Sequence, residues 1–151
     1  MNGIRVLLGA LLVLPVLAEP SFSGKWEFNP SQSKNVGMMT QLKLTATVRQ
    51  TSDEMIITNT STFNGQDQTS ETKFDLTGKP VPNKDPMGVP ADTVTKWDGN
   101  RLVTTWTSPG SVAGTKSVRT ETRYLADGGR LMTVESKRGQ APPMVMVYER
   151  K

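Results

Sequence analysis

The sequence predicts an all-β fold, an antiparallel up-and-down β-barrel of eight to nine strands. Three observations carry it. Thr is abundant, with Val, Ile and aromatic residues set among it, the composition that a pleated, half-buried surface favours. Beyond the first eighteen residues, apolar positions recur with a period of two, and no segment has a convincing 3.6-residue repeat. Turn sequences punctuate the chain regularly at Asn64-Gly65, Asp98-Gly99-Asn100 and Asp127-Gly128-Gly129. A meander of this length removes its exposed edges by closing on itself.

The elements follow in order. Met1 to Arg5 is a short positive segment and Val6 to Val16 an almost unbroken apolar run, followed by Leu17-Ala18 and then Glu19-Pro20. An apolar core of about a dozen residues is too short to span a ~30 Å bilayer as a helix. Residues 1–18 therefore read as a secretory signal cleaved after Ala18, and residues 19–151 as one barrel domain. The first strand is Phe22-Ser23-Gly24-Lys25-Trp26-Glu27-Phe28. Leu42, Leu44, Ala46 and Val48 alternate with Lys43, Thr45, Thr47 and Arg49 in the second. Met55, Ile57 and Phe63 belong to the third, and Asn64-Gly65 turns it into a strand ending at Phe74 and Leu76. Pro80 to Pro90 reads as an extended connection, with Met87 and Val89 also able to cover an entrance. Ala91 to Trp97 and Arg101 to Thr107 pair across Asp98-Gly99-Asn100, and Lys116 to Leu125 and Leu131 to Lys137 across Asp127-Gly128-Gly129. Met144 to Arg150 closes the barrel. In the later strands both faces carry apolar residues, Leu102 and Trp106 against Val103, and Leu131 against Met132 and Val134, so the pattern leaves their inward face unassigned.

Composition excludes several function classes. The chain has no His and no Cys, which removes the commonest general base, the thiol nucleophile and most transition-metal sites. Glu71, Asp75, Glu121 and Glu135 read as solvated surface. No enzyme activity, metal or cofactor is expected. Positive charge is spread and forms no Lys/Arg run, so neither nucleic acid nor a polybasic membrane role is expected, and no stable membrane insertion after signal cleavage. An exported chain without Cys points to a bacterial periplasmic or secreted setting.

Phe22-x-Gly24-x-Trp26, Trp97-Asp98-Gly99 and Val147-Tyr148-Glu149-Arg150 together resemble the calycin superfamily, in particular small secreted bacterial lipocalin-like proteins. The first and last elements are most similar to fatty-acid-binding proteins. The resemblance implies a structural barrel floor of Gly24, Trp26 and Arg150, the arginine lying over the indole. Fatty-acid-binding proteins capture a carboxylate with Arg-x-Tyr on the last strand plus a further Arg before a late hairpin turn. Tyr148 matches the Tyr, Met146 replaces the Arg, and Arg123 is placed to stand for the further one or else lies on the surface. The helix-turn-helix lid of that family is missing, because only Asn29 to Thr40, with room for a helical turn near Gln32-Ser33-Lys34, separates the first two strands. Candidate ligand residues are Phe74, Trp106, Arg123, Tyr124, Met146 and Tyr148, while Trp97 and Trp106 are core by default. Two functions follow. The favoured one is a binding protein holding a small apolar or amphipathic, lipid-like molecule in the barrel. The other is a protein-interaction or inhibitor barrel with a side-chain-filled lumen.

Overall fold

A computed structural model describes residues 18–151, so the signal expected over residues 1–18 falls, but for Ala18, outside the described residues. The chain forms ten strands: β1 Gly24–Phe28, β2 Lys43–Gln50, β3 Glu54–Phe63, β4 Gln66–Asp75, β5 Val81–Lys84, β6 Pro90–Asp98, β7 Arg101–Pro109, β8 Lys116–Ala126, β9 Leu131–Lys137 and β10 Met144–Arg150. All pairings are antiparallel in a single sheet ordered β4-β3-β2-β1-β10-β9-β8-β7-β6-β5. The up-and-down barrel expected from the sequence is present, with one strand more than the upper count. The extra one is β5, which replaces the extended connection expected after Pro80. Val81 to Lys84 pairs with Thr93 to Pro90, and the Asp85 carboxylate accepts from the Met87 and Val89 amides at 2.9 Å each to turn the chain. Two prolines concealed the strand, because proline is tolerated on an edge where no ladder donor is needed.

The sheet closes without a ladder between β4 and β5. Asn83 bridges that seam by imitating a peptide group. Its Nδ2 donates to the Lys73 carbonyl at 2.8 Å, and its Oδ1 accepts from the Lys73 amide at 3.2 Å. The same Nδ2 reaches Thr93 Oγ1 at 2.8 Å. Asn83→Ala is expected to cost about 1 kcal/mol, since water can solvate the freed Lys73 groups. It should also raise the exchange rate of the Lys73 amide, and an unchanged rate would show that the seam is held elsewhere.

Between β1 and β2 the chain makes two short 3-10 turns, Pro30–Gln32 and Gly37–Gln41. The first is capped by Asn29, whose side chain accepts from the Ser31 and Gln32 amides. It lies two positions earlier than the turn expected near Gln32-Ser33-Lys34. Lys34 then exchanges both backbone hydrogen bonds with Val145, at 2.8 and 2.9 Å, so this segment extends the β1–β10 pairing rather than forming a lid.

Register assigns the faces that the sequence pattern left open. Residues directly opposite one another share a face. Trp26 opposes Ala46, Val48 opposes Ile57, Met55 opposes Phe74, Leu102 opposes Arg123, and Met146 opposes Val134. These side chains point inward, and Val103 and Leu131 point out. Asn64-Gly65 makes the two-residue hairpin anticipated, with φ of 49° and 76°, the left-handed pair that matches strand twist. The chain's up-and-down course puts the β1–β2, β3–β4, β5–β6, β7–β8 and β9–β10 connections at one end, here called the rim, and the others at the floor.

Candidate functional site

The floor is built from both termini. Gly24 has φ of +132°, and a Cβ there would sit 2.7 Å from Arg150 Nη1. The Arg150 guanidinium lies 4.2 Å from the centroid of the Trp26 ring. It donates to the Ser23 carbonyl and, at 2.9 Å, to the Gly129 carbonyl. Trp26 Nε1 donates to the Phe22 carbonyl at 2.8 Å, and fully buried Phe22 stacks on Trp97 at 6.0 Å. Gln50 ties the incoming segment down, accepting from the Phe22 amide and donating to the Pro20 carbonyl. Phe22, Trp26, Val48, Met55, Phe74, Leu76, Leu102 and Met132 fill the lower barrel as one apolar cluster.

Above that cluster the inner face turns polar. Thr95 and Thr104 share a hydrogen bond of 2.9 Å, and Thr93 Oγ1 donates to the Val81 carbonyl at 3.1 Å, so these buried hydroxyls are satisfied. Charge enters on one strand. Arg119, Glu121 and Arg123 alternate along the inner face of β8, opposite Trp106, Thr104 and Leu102. Arg123 Nη2 donates to Glu121 Oε1 at 2.9 Å, with side chains only 8% and 12% exposed. Arg119 lies over the Trp106 ring at 4.7 Å, and Trp106 meets Phe74 edge-on at 5.9 Å. The three charged groups leave one net positive charge at mid-barrel.

Three buried donors have no partner among the described residues: Trp97 Nε1, beside Phe22, and Trp106 Nε1 and Arg123 Nε. Trp106 and Arg123 are more than nine-tenths buried. A buried donor left unpaired costs about 1–3 kcal/mol, so native structures supply such groups with a ligand or ordered water. The Tyr148 hydroxyl reaches only the Met146 sulfur, at 3.9 Å. Burial raises its pKa well above the usual tyrosine value; Arg123 opposes the shift and Glu121 adds to it. Tyr148 is therefore a neutral donor at all physiological pH. Nearer the rim, Asn59, Ser61, Gln68 and Ser70 continue the inner face, the last two solvent-exposed, while Met39, Leu44 and Met144 add apolar surface against the core.

Five of the six candidate ligand residues meet on the inner face: Phe74, Trp106, Arg123, Met146 and Tyr148. Tyr124 does not. One position from inward-facing Arg123, it points outward opposite Thr133, and Arg101 covers its ring at 4.4 Å. Arg123 is interior rather than surface, and so is Glu121, which the sequence had suggested was solvated. Sequence reasoning missed Arg119 and Glu121, although both lie two or four residues from Arg123 and so share its face. Two outer-surface depressions of about 300 and 360 Å³ involve none of the six residues. Among the described residues, no group of three or more His, Cys, Asp or Glu is placed to hold a metal ion, and no helix is long and apolar enough to cross a membrane.

No protein-family model and no curated protein matches this chain. Solved structures do. The chain is similar to a REP1-NXSQ fatty acid transporter at 21% identity, with 85% of this chain and 95% of that one covered and a TM-score of 0.67. It is similar to fatty-acid-binding protein 1 of Echinococcus granulosus at 15% identity, covering 85% and 96%, with a TM-score of 0.64. Human cRBP IV matches at 16% identity, covering 87% and 99%, also at 0.64. What they share with this chain is the fold, an antiparallel up-and-down β-barrel. At these identities the likeness establishes architecture.

Proposed function

We propose that this protein is an exported, non-enzymatic binding protein that holds one lipid-like, amphipathic molecule in its barrel. The polar head lies at mid-barrel against Arg123, Trp106 and Tyr148, and the tail runs toward the rim past Met39, Leu44 and Met144. The observation that carries this reading is that two of the three buried, partnerless donors, Trp106 Nε1 and Arg123 Nε, belong to residues more than nine-tenths buried on the inner face that also carries a phenol bonded only to a thioether. They sit where an acceptor-bearing head would satisfy them all, and the single net charge of the Arg119–Glu121–Arg123 row suits a monoanionic head such as a carboxylate. The names fatty acid transporter and fatty-acid-binding protein, borne by two similar structures, support the lipid reading. Export to a bacterial periplasm or beyond rests on the apolar leader over residues 1–18 and the absence of Cys.

The test is native mass spectrometry of the protein purified from its own host, followed by titration with a long-chain carboxylate and the matched alcohol. A co-purifying lipid and saturable binding are expected. Arg119→Met should weaken the carboxylate about tenfold, because it removes the net positive charge of the row, and leave the alcohol nearly unchanged. Failure of every lipophilic probe to bind, with water alone on the two free donors, would instead support a filled barrel that works through its loops.

A further inference from the structure

The large exposed apolar side chains of the described residues all belong to one end of the barrel. Met38 is 81% exposed in the β1–β2 connection, Phe63 52% at the β3–β4 tip, and Met87 88% in the β5–β6 turn. Val89 follows Met87, Val112 lies in the β7–β8 loop, and Val118 stands just below it on the outer face of β8. None lies in a floor connection. Four separate hairpins thus each contribute an apolar side chain to the same rim, whereas unrelated surface residues would scatter over both ends.

Charge is divided in the same way. At the rim stand Lys34, Lys43, Lys84, Lys116, Lys137 and Arg138, against Asp67 and Asp85 in the connections and Asp92 and Glu135 two residues inside the strand ends, an excess of positive charge. The two acids of the connections are engaged locally, Asp67 accepting from Thr62 Oγ1 and Asp85 capping its own turn. Among the described residues none of the six rim cations forms an ion pair, while Arg130–Asp127, Lys73–Glu54 and Lys151–Glu27 pair toward the floor. Each floor connection carries both signs: Arg49 with Asp53, Asp75 with Lys79, Asp98 with Arg101, Asp127 with Arg130. Dispersed along the sequence, the cations show no run; the alternating course of the strands gathers them.

We propose that the rim is a docking surface for an anionic lipid bilayer, its apolar tips entering the interface and its lysines lying over the headgroups. Isolated apolar tips ringed by basic residues suit a surface that is apolar at depth and negative outside, and clustered cations strengthen binding to anionic lipid. A soluble anionic partner would use the charges but leave Met38, Phe63 and Met87 unburied. A second copy of this chain would bring like charges together.

Orientation makes the test specific. Pro20 is held at the floor through Gln50, so adsorption driven by residues upstream of it would present the floor to the lipid. The chain has no Cys, so a polarity-sensitive fluorophore can be placed singly on Met87→Cys at the rim or Asn100→Cys at the floor. With phosphatidylcholine vesicles containing phosphatidylglycerol, the rim probe should shift to the blue and the floor probe should not. The shift should vanish with phosphatidylcholine alone and weaken strongly at high salt. Phe63→Ser with Val112→Ser, both exposed and so neutral for folding, should reduce vesicle binding at least tenfold. No shift on anionic vesicles, a shift at Asn100→Cys, or equal binding by the double variant would overturn the proposal. So would a rim shift that appears without vesicles and grows with protein concentration, which would identify a second copy as the occupant.

Discussion

Trp26→Ala is expected to lower the free energy of unfolding by about 3–5 kcal/mol, the range for truncating a large buried aromatic. Three losses coincide. The indole is 1% exposed at the centre of the floor, so truncation opens a cavity against Phe22 and Val48. Its Nε1 bond to the Phe22 carbonyl disappears, leaving a buried acceptor unpaired. The Arg150 guanidinium loses the ring it covers and, with it, part of the geometry that holds Ser23 and Gly129. Trp26→Phe keeps most of the volume and should cost less, about 1–2 kcal/mol, mainly for the lost hydrogen bond. Urea denaturation of the two variants checks this. Equal losses would mean that the hydrogen bond, not the packing, carries the floor.

Arg123→Met should cost about 3–5 kcal/mol, because it strands the Glu121 carboxylate without a counter-charge inside the barrel. Replacing both members, Glu121→Leu with Arg123→Met, should recover most of that loss, since apolar residues of similar size substitute for buried pairs at little cost. A double-mutant cycle gives the coupling directly, and strictly additive effects would show that the two groups act independently. Ligand affinity should separate from stability in this series. The doubly apolar variant should be stable yet bind the long-chain carboxylate at least tenfold more weakly, having lost the donors at mid-barrel. A stable double variant with unchanged affinity would place the head group elsewhere.

Much of the barrel was legible in the sequence because β-structure writes itself locally. Period-two alternation in Leu44, Ala46 and Val48, the turn chemistry of Asn64-Gly65 and the Phe22-x-Gly24-x-Trp26 segment each report a short-range constraint. The tenth strand was not legible, since Val81 to Lys84 carries two residues of weak β preference and is held by a neighbour and by the Asn83 amide rather than by propensity. Nor was the facing of the later strands. With apolar residues on both sides of β7, β9 and β10, period two gives two equal solutions, and a slip of one residue exchanges every side chain between core and solvent.

The candidate site turned on β8 instead. A charged strand face reads as solvated, which left Glu121 on the surface when it pairs with Arg123 inside, and Tyr124, one position from Arg123, faces out. Local propensity and turn chemistry, which act over a few residues, were enough for the all-β class and the strand-and-turn order; the floor of Gly24, Trp26 and Arg150 was implied by the resemblance to calycins, and Arg150 reaches Trp26 only because β10 pairs with β1. Only the tertiary structure decided that Arg119, Glu121 and Arg123 form a row within the barrel and that six scattered cations and the exposed apolar tips share one rim. Both depend on strand register and the alternating direction of the chain, which bring residues far apart in sequence to one face and one end.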